Sequence, residues 1–258
     1  MLLTARDGSS TVFEGAPAMK SSQRKPSQRH RDGRLATRTI LAVLAATASL
    51  ATASSTPATA ATVYQVHTGD KDISTLVLRG QIVPGDLARL QRVTAKIPPS
   101  QRIALMLDSP GGSIDEAIAI GRYVYAAKIT TIAIQGPGCH SSCAFVFLAG
   151  RDAREQPMRI MMKGARIGFH QGQISSVPTN QTYSASDIQI ATQIGQDMVK
   201  RVNGYFQEIK ADPEFLTMML SAPNRSITLL NEFDALRLGI YVMDTATQKL
   251  TTPADFKR

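Results

Sequence analysis

The sequence holds no apolar run long enough to span a bilayer, no spaced set of metal ligands, no internal repeat and only two cysteines in 258 residues. Its longest apolar stretch, within 39–53, runs to about 14 residues, short of the ~20 that a stable membrane-crossing helix needs. The four histidines show no ligand spacing, so neither a metal nor another cofactor is expected. The formal charge of +9 would suit a nucleic-acid partner, but residues 1–60 carry eight Lys or Arg against three acids, leaving 21 basic and 17 acidic residues in the rest. The excess belongs to the leader, and no nucleic-acid partner is expected.

That leader has a definite order. A basic stretch ends at Arg38, the apolar run 39–53 follows, and small residues close it, with Ala58-Thr-Ala60 as a cleavage candidate. Charged, then apolar, then small is how a secretory signal is built. The chain therefore divides into a leader over 1–60 and a domain over 61–258, with a periplasmic or secreted destination. The alternatives are an anchor formed by 39–53, the one membrane contact expected, and a disordered tail. No cysteine follows the run, which argues against a lipid anchor, and the length ahead of Arg38 leaves Met19 as an alternative start. The two cysteines, Cys139 and Cys143, lie four apart. An oxidising compartment permits a disulfide between them if they straddle a turn and a helix start; two small buried thiols are the other reading.

Beyond Ala61, strand-like and helix-like segments alternate, the signature of an α/β domain. Residues 75–82 read as a strand and 86–93 as a helix. The continuous apolar run 102–107 reads as a strand covered on both faces, ending in Asp108-Ser-Pro-Gly-Gly112. Ser113 with Glu116 three residues on fits a capping box, and Ile114, Ala117, Ile118, Gly121 and Val124 continue at helical spacing. Residues 128–134 form the next strand. Residues 142–149 are apolar nearly all round and read as a buried helix. Strands are expected over 159–163 and 165–169, an exposed loop over 172–183, a long helix from Ser184 to about Lys210, a further helical turn or two from Asp212, a strand over 227–230, and a helix over 231–239 stopped by Gly239.

Chemistry concentrates between Gly138 and Gly150, where Ser141 sits at the junction of a glycine-bearing turn and the buried helix. A serine hydroxyl attacks only when a base takes its proton and donors await the oxyanion. The first-turn N–H groups of that helix and the exposed N–H groups of the Gly111-Gly112 turn are such donors. The residues alone fit a helix cap as readily as a nucleophile, and His170, ending an apolar strand, fits a structural histidine as well as a base.

These motifs together resemble the proteolytic subunit of the Clp protease, within the Clp-protease/crotonase superfamily. Asp108-Ser-Pro-Gly-Gly112 is similar to that family's strand-end motif. Ser141 with Ala144, Phe145 and Gly150 resembles its nucleophile segment, and Arg166-Ile-Gly-Phe-His170-Gln171 resembles the strand that delivers the catalytic histidine. The resemblance covers roughly 73–172 and fades towards Gly239. It implies a spiral of β-β-α units around a nearly parallel sheet, Ser141 as nucleophile, His170 as base, and the N–H groups of Gly112 and Ser142 as oxyanion donors. The family's third member, an aspartate, has no counterpart around 223–230, where Asn224, Ser226 and Thr228 stand; Asn224 is the candidate to orient the histidine. The Cys-X-Ser-X-Cys pattern resembles a periplasmic Clp-like branch and agrees with the leader.

The function implied is an exported serine hydrolase, a peptidase acting on peptides or unfolded segments. With no ATP outside the cytoplasm, no ATPase partner is expected. Subunits of this kind commonly assemble into homo-oligomeric rings through their late helix, here about 186–210. The alternatives are a catalytically inactive peptide-binding scaffold, a crotonase-like enzyme acting on a coenzyme A thioester, and a Ser-Lys dyad using Lys163.

Overall fold

A computed structural model describes residues 60–172, 180–223 and 226–256. The leader up to residue 59, most of the expected 172–183 loop and Asn224 lie outside the described residues. In chain order the elements are β1 (Thr62–Val66), β2 (Ile73–Arg79), α1 (Asp86–Thr94), β3 (Arg102–Asp108), α2 (Ile114–Ala126), β4 (Thr130–Ala133), β5 (Cys139–His140), α3 (Ser142–Leu148), β6 (Arg159–Met162), β7 (Ile167–Phe169), α4 (Ala185–Glu208), α5 (Glu214–Ser221), β8 (Thr228–Leu230), α6 (Glu232–Arg237), β9 (Tyr241–Asp244), β10 (Lys249–Thr251) and α7 (Pro253–Phe256).

Seven strands form the main sheet in the order β1-β2-β3-β4-β6-β9-β10. The five inner strands run parallel, and β1 and β10 close the two edges antiparallel. Parallel strands need crossovers that cover the sheet faces, which is why β2 and β3 read as continuous apolar runs: Leu76, Leu78, Leu105 and Leu107 are wholly buried. A second sheet, β5-β7-β8, stands apart, with β5 parallel and β8 antiparallel to β7. The two sheets explain the β-β-α order. In each unit the first strand (β4, then β6) enters the main sheet, the next (β5, then β7) enters the small one, and a helix (α3, then α4) returns. Earlier in the chain, the isolated bridges Ile82 to Gly112 and Ser109 to Cys139 continue the small sheet's side of the spiral. The chain is thus an α/β protein with a mostly parallel central sheet.

Local signals account for the helices that matter to the site. Ser113 caps α2 by accepting from the Glu116 N–H at 3.3 Å. The expected capping box is only half formed, because the Glu116 carboxylate accepts instead from the Leu87 N–H at 2.7 Å and ties α1 to α2. Every residue of α3 is buried. The helix α4 begins with a complete capping box, Ser184 with Asp187, and α6 ends before Gly239 at φ 81°. The C-terminal half of α4 is fastened to α3: the buried Tyr205 hydroxyl donates to the Phe145 carbonyl at 2.8 Å, and Phe206 meets Phe145 edge-on at 5.4 Å. Gly121 on α2 makes room, since a β-carbon there would fall 1.8 Å from the Tyr205 hydroxyl. Tyr205→Phe is expected to lower stability by about 1 kcal/mol, read as a fall in Tm of roughly 2–4 °C in thermal unfolding.

Candidate active site

Ser141 is the single residue between β5 and α3. Its backbone is held at φ 57°, ψ −131°, a region that non-glycine residues rarely enter and that costs about 1–3 kcal/mol. Its N–H donates to the Gly168 carbonyl at 2.8 Å and its carbonyl accepts from the Ala144 N–H at 2.9 Å. The main chain is therefore pinned on both sides while the side chain makes no capping hydrogen bond. The cap reading of this serine does not hold. A strained strand-to-helix turn of this kind lifts a side chain clear of its own backbone. Across the turn, Cys139 and Cys143 form a disulfide, both sulfur-bearing residues being buried. Ser141→Gly should relieve the strain and, after glycine's larger loss of chain entropy, raise stability by about 1 kcal/mol, seen as a Tm increase of roughly 2–4 °C.

The glycine turn after β3 presses directly on this segment. A β-carbon on Gly111 would lie 2.7 Å from the His140 carbonyl oxygen, 2.7 Å from Ser141 Cβ and 3.0 Å from the Ser142 nitrogen. Gly111 and Gly112 hold φ 94° and 148°. The turn is set by main-chain bonds to Ile82, whose N–H donates to Gly111 and whose carbonyl accepts from Ser113, each at 2.9 Å. The Gly111 N–H is taken by the Ser109 hydroxyl at 3.1 Å. Among the described residues, the N–H groups of Gly112 and Ser142 donate to nothing. Ser142 is fully buried and its hydroxyl has no partner among the described residues.

His170 follows β7. The register pairs Cys139 with Ile167 and His140 with Gly168, so two adjacent parallel strands carry Ser141 and His170 off their C-terminal ends. The His170 Nδ1–H donates to the Gln171 carbonyl at 2.6 Å, and the Gln171 side-chain amide donates to the Leu220 carbonyl at 2.7 Å. No hydrogen bond joins the Ser141 hydroxyl to His170 among the described residues; such contacts are often long in a site without substrate. Gly172 then abuts α4, where its β-carbon would meet Met198 Sδ at 2.3 Å.

Neighbouring polar groups shape the turn rather than enter it. The buried Asp108 carboxylate pairs with Arg79 at 2.9 Å. His140 donates from Nε2 to the Pro137 carbonyl at 2.8 Å, and its ring lies over Gly168, where a β-carbon would fall 2.4 Å from Nδ1. Lys163 is committed elsewhere: its ammonium pairs with Asp244 at 3.0 Å, and that hydrogen bond holds its pKa above the usual lysine value. A general base needs the opposite shift, so the Ser-Lys alternative is set aside. A cavity of about 850 Å³ between α2 and α4 is lined by the ion pairs Arg122 with Glu208 and Arg201 with Asp115 and holds neither Ser141 nor His170. Sequence reasoning missed Gln171 and Gly168; the Ile-Gly-Phe strand showed an interior glycine, which is the mark of a close approach.

A search of the curated proteins finds no match to the chain. The Clp protease family model matches residues 87–232, which spans the glycine turn, the Ser141 turn, the His170 strand and more than half of the sequence. The chain accordingly belongs to the Clp protease family and is a serine peptidase-like hydrolase.

Proposed function

We propose that the protein is an exported serine peptidase that cleaves peptides or unfolded segments without ATP. Ser141 is the nucleophile and His170 the base. The observation that supports this reading is the serine itself: strained, making no cap hydrogen bond to its own helix, and packed against the Gly111-Gly112 turn, with the N–H groups of Gly112 and Ser142 donating to nothing among the described residues. The Nε2 of His170 takes the hydroxyl proton as Ser141 Oγ attacks a peptide carbonyl. The two free N–H groups hold the oxyanion, a contribution of about 10²–10³ in rate per donor in other hydrolases. The imidazolium returns its proton to the leaving amine, and water, activated by the same histidine, releases the acyl group.

Export follows from the leader over 1–60, with anchoring by 39–53 as the alternative, and it fits the Cys139–Cys143 disulfide, since such bonds persist in oxidising compartments. Homo-oligomerisation is supported by the outer half of α4, where Ile188, Ile190 and Ile194 are 60%, 59% and 50% exposed; surfaces of this kind mark interfaces. The lack of an aspartate around 223–230 to serve as the family's third triad member supports a second reading, an inactive peptide-binding scaffold. Hydrolysis of fluorogenic peptides and of an unfolded protein, without ATP, separates the two. The peptidase reading expects turnover that falls by about 10³ or more in Ser141→Ala. No turnover above that variant supports the scaffold.

A further inference from the structure

The geometry points to Gln171 as the positioning residue that fixes the tautomer of His170, through its main-chain carbonyl in the place where a triad carries a carboxylate. This inference rests on the peptidase reading for its catalytic meaning. A carbonyl oxygen can only accept, so the 2.6 Å contact from His170 Nδ1 to the Gln171 carbonyl requires the proton on Nδ1. The other ring nitrogen, Nε2, then carries the lone pair that a base must offer. Without such a partner a neutral imidazole prefers the opposite tautomer, and the wrong tautomer in a triad is worth about 10⁴ in kcat.

A backbone carbonyl is a useful partner only if its peptide plane is held. Gln171 holds its own. Its side-chain amide donates to the Leu220 carbonyl at 2.7 Å, one of the last-turn acceptors that α5 leaves without a helical partner. The helix α5 is in turn fixed to β7, where the Phe169 and Phe215 rings stack at 5.7 Å and Phe215 is wholly buried. On the next residue, Gly172 is seated on Met198 of α4. The three residues from His170 to Gly172 are thereby clamped between two helices, with the carbonyl aimed back at the imidazole. No carboxylate hydrogen-bonds to His170 among the described residues, and a neutral carbonyl stabilises an imidazolium less than a carboxylate would. A slower enzyme with an intact base is the expected consequence.

Nitrogen-15 NMR of histidine-labelled full-length protein, with His170 assigned by the resonance lost in His170→Ala, reads the tautomer directly and independently of turnover. Wild type is expected to show neutral His170 protonated on Nδ1. In Gln171→Ala that preference should be lost, with kcat down about tenfold and KM within about twofold. Gln171→Lys, which can still donate to the Leu220 carbonyl, should recover most of both. Neutral His170 protonated on Nε2 in wild type overturns the assignment whatever the variants do. A Gln171→Ala protein that keeps both the Nδ1 proton and kcat overturns the positioning role of Gln171, since the carbonyl that remains in that variant would then need no side-chain clamp. If no form of the protein turns over peptide, the peptidase reading fails while the tautomer still reports on Gln171.

Discussion

Replacing Gly112 by alanine is expected to abolish detectable hydrolysis and to destabilise the fold. The added β-carbon would fall 2.1 Å from the Ile82 carbonyl oxygen and 3.0 Å from the Ile82 nitrogen and carbonyl carbon. All three are main-chain atoms, so no rotamer change can relieve the contact. The residue also holds φ 148°, where an L side chain is strained. The turn must therefore move, and with it the two 2.9 Å bonds that join Ile82 to Gly111 and Ser113. Overpacking and backbone strain together should cost about 3 kcal/mol, a fall in Tm of roughly 6–12 °C. The displaced Gly112 N–H should lower kcat by a further ~10²–10³ in whatever remains folded. Thermal unfolding and peptide turnover on one preparation check both effects. A variant with wild-type kcat would remove Gly112 from the oxyanion role.

The paired variant Cys139→Ser/Cys143→Ser should fold with reduced stability and lose most of its activity. The disulfide joins the first residue of β5 to the first turn of α3 across the strained serine. Closing so short a loop contributes only about 2 kcal/mol on the chain-entropy account. Its local effect is larger, because the bond opposes relaxation of the φ 57° backbone at Ser141, and a misplacement near 1 Å is worth about 10² in rate. The cysteines are 1% and 0% exposed, so a mild reductant added to folded protein should act slowly. Refolding with and without reductant is the informative comparison. Protein refolded oxidised should be active, and protein refolded reduced should show on the order of 1% of that activity. Equal activities would leave the bond no part in holding the site.

Most of the fold was legible from the sequence because its strands and helices are long or strongly patterned. The buried run 102–107, the capped α2 and the nearly all-apolar α3 stand within a residue or two of their expected limits. Two strands of the small sheet, β7 and β8, lie within the expected 165–169 and 227–230, but the two-residue β5 is too short for any periodicity, and the pairing of the three into a separate sheet joins residues too far apart in sequence for a local pattern to show. Gly168, read as part of an ordinary strand, is where the His140 ring crosses. The capping-box pattern at Ser113 was half informative, since the Glu116 carboxylate found a partner on another helix.

At the site, the glycine pair, Ser141, Ser142 and His170 were all singled out by motif, and their mutual placement depends on the two-sheet spiral that no local pattern displays. The partner of His170 Nδ1 was beyond sequence reasoning for a different reason. A main-chain carbonyl exists at every residue and has no signature, so no side-chain pattern around 223–230 or elsewhere points to the Gln171 contact. Asn224 itself lies outside the described residues.

Labelling with a fluorophosphonate, which reacts preferentially with an activated serine hydroxyl, tests the nucleophile most directly. Intact mass and peptide mapping of the labelled full-length protein should find one adduct, on Ser141, absent from Ser141→Ala and formed at least about tenfold more slowly in His170→Ala. Folded wild type that takes no label, or label found equally in Ser141→Ala, would contradict it.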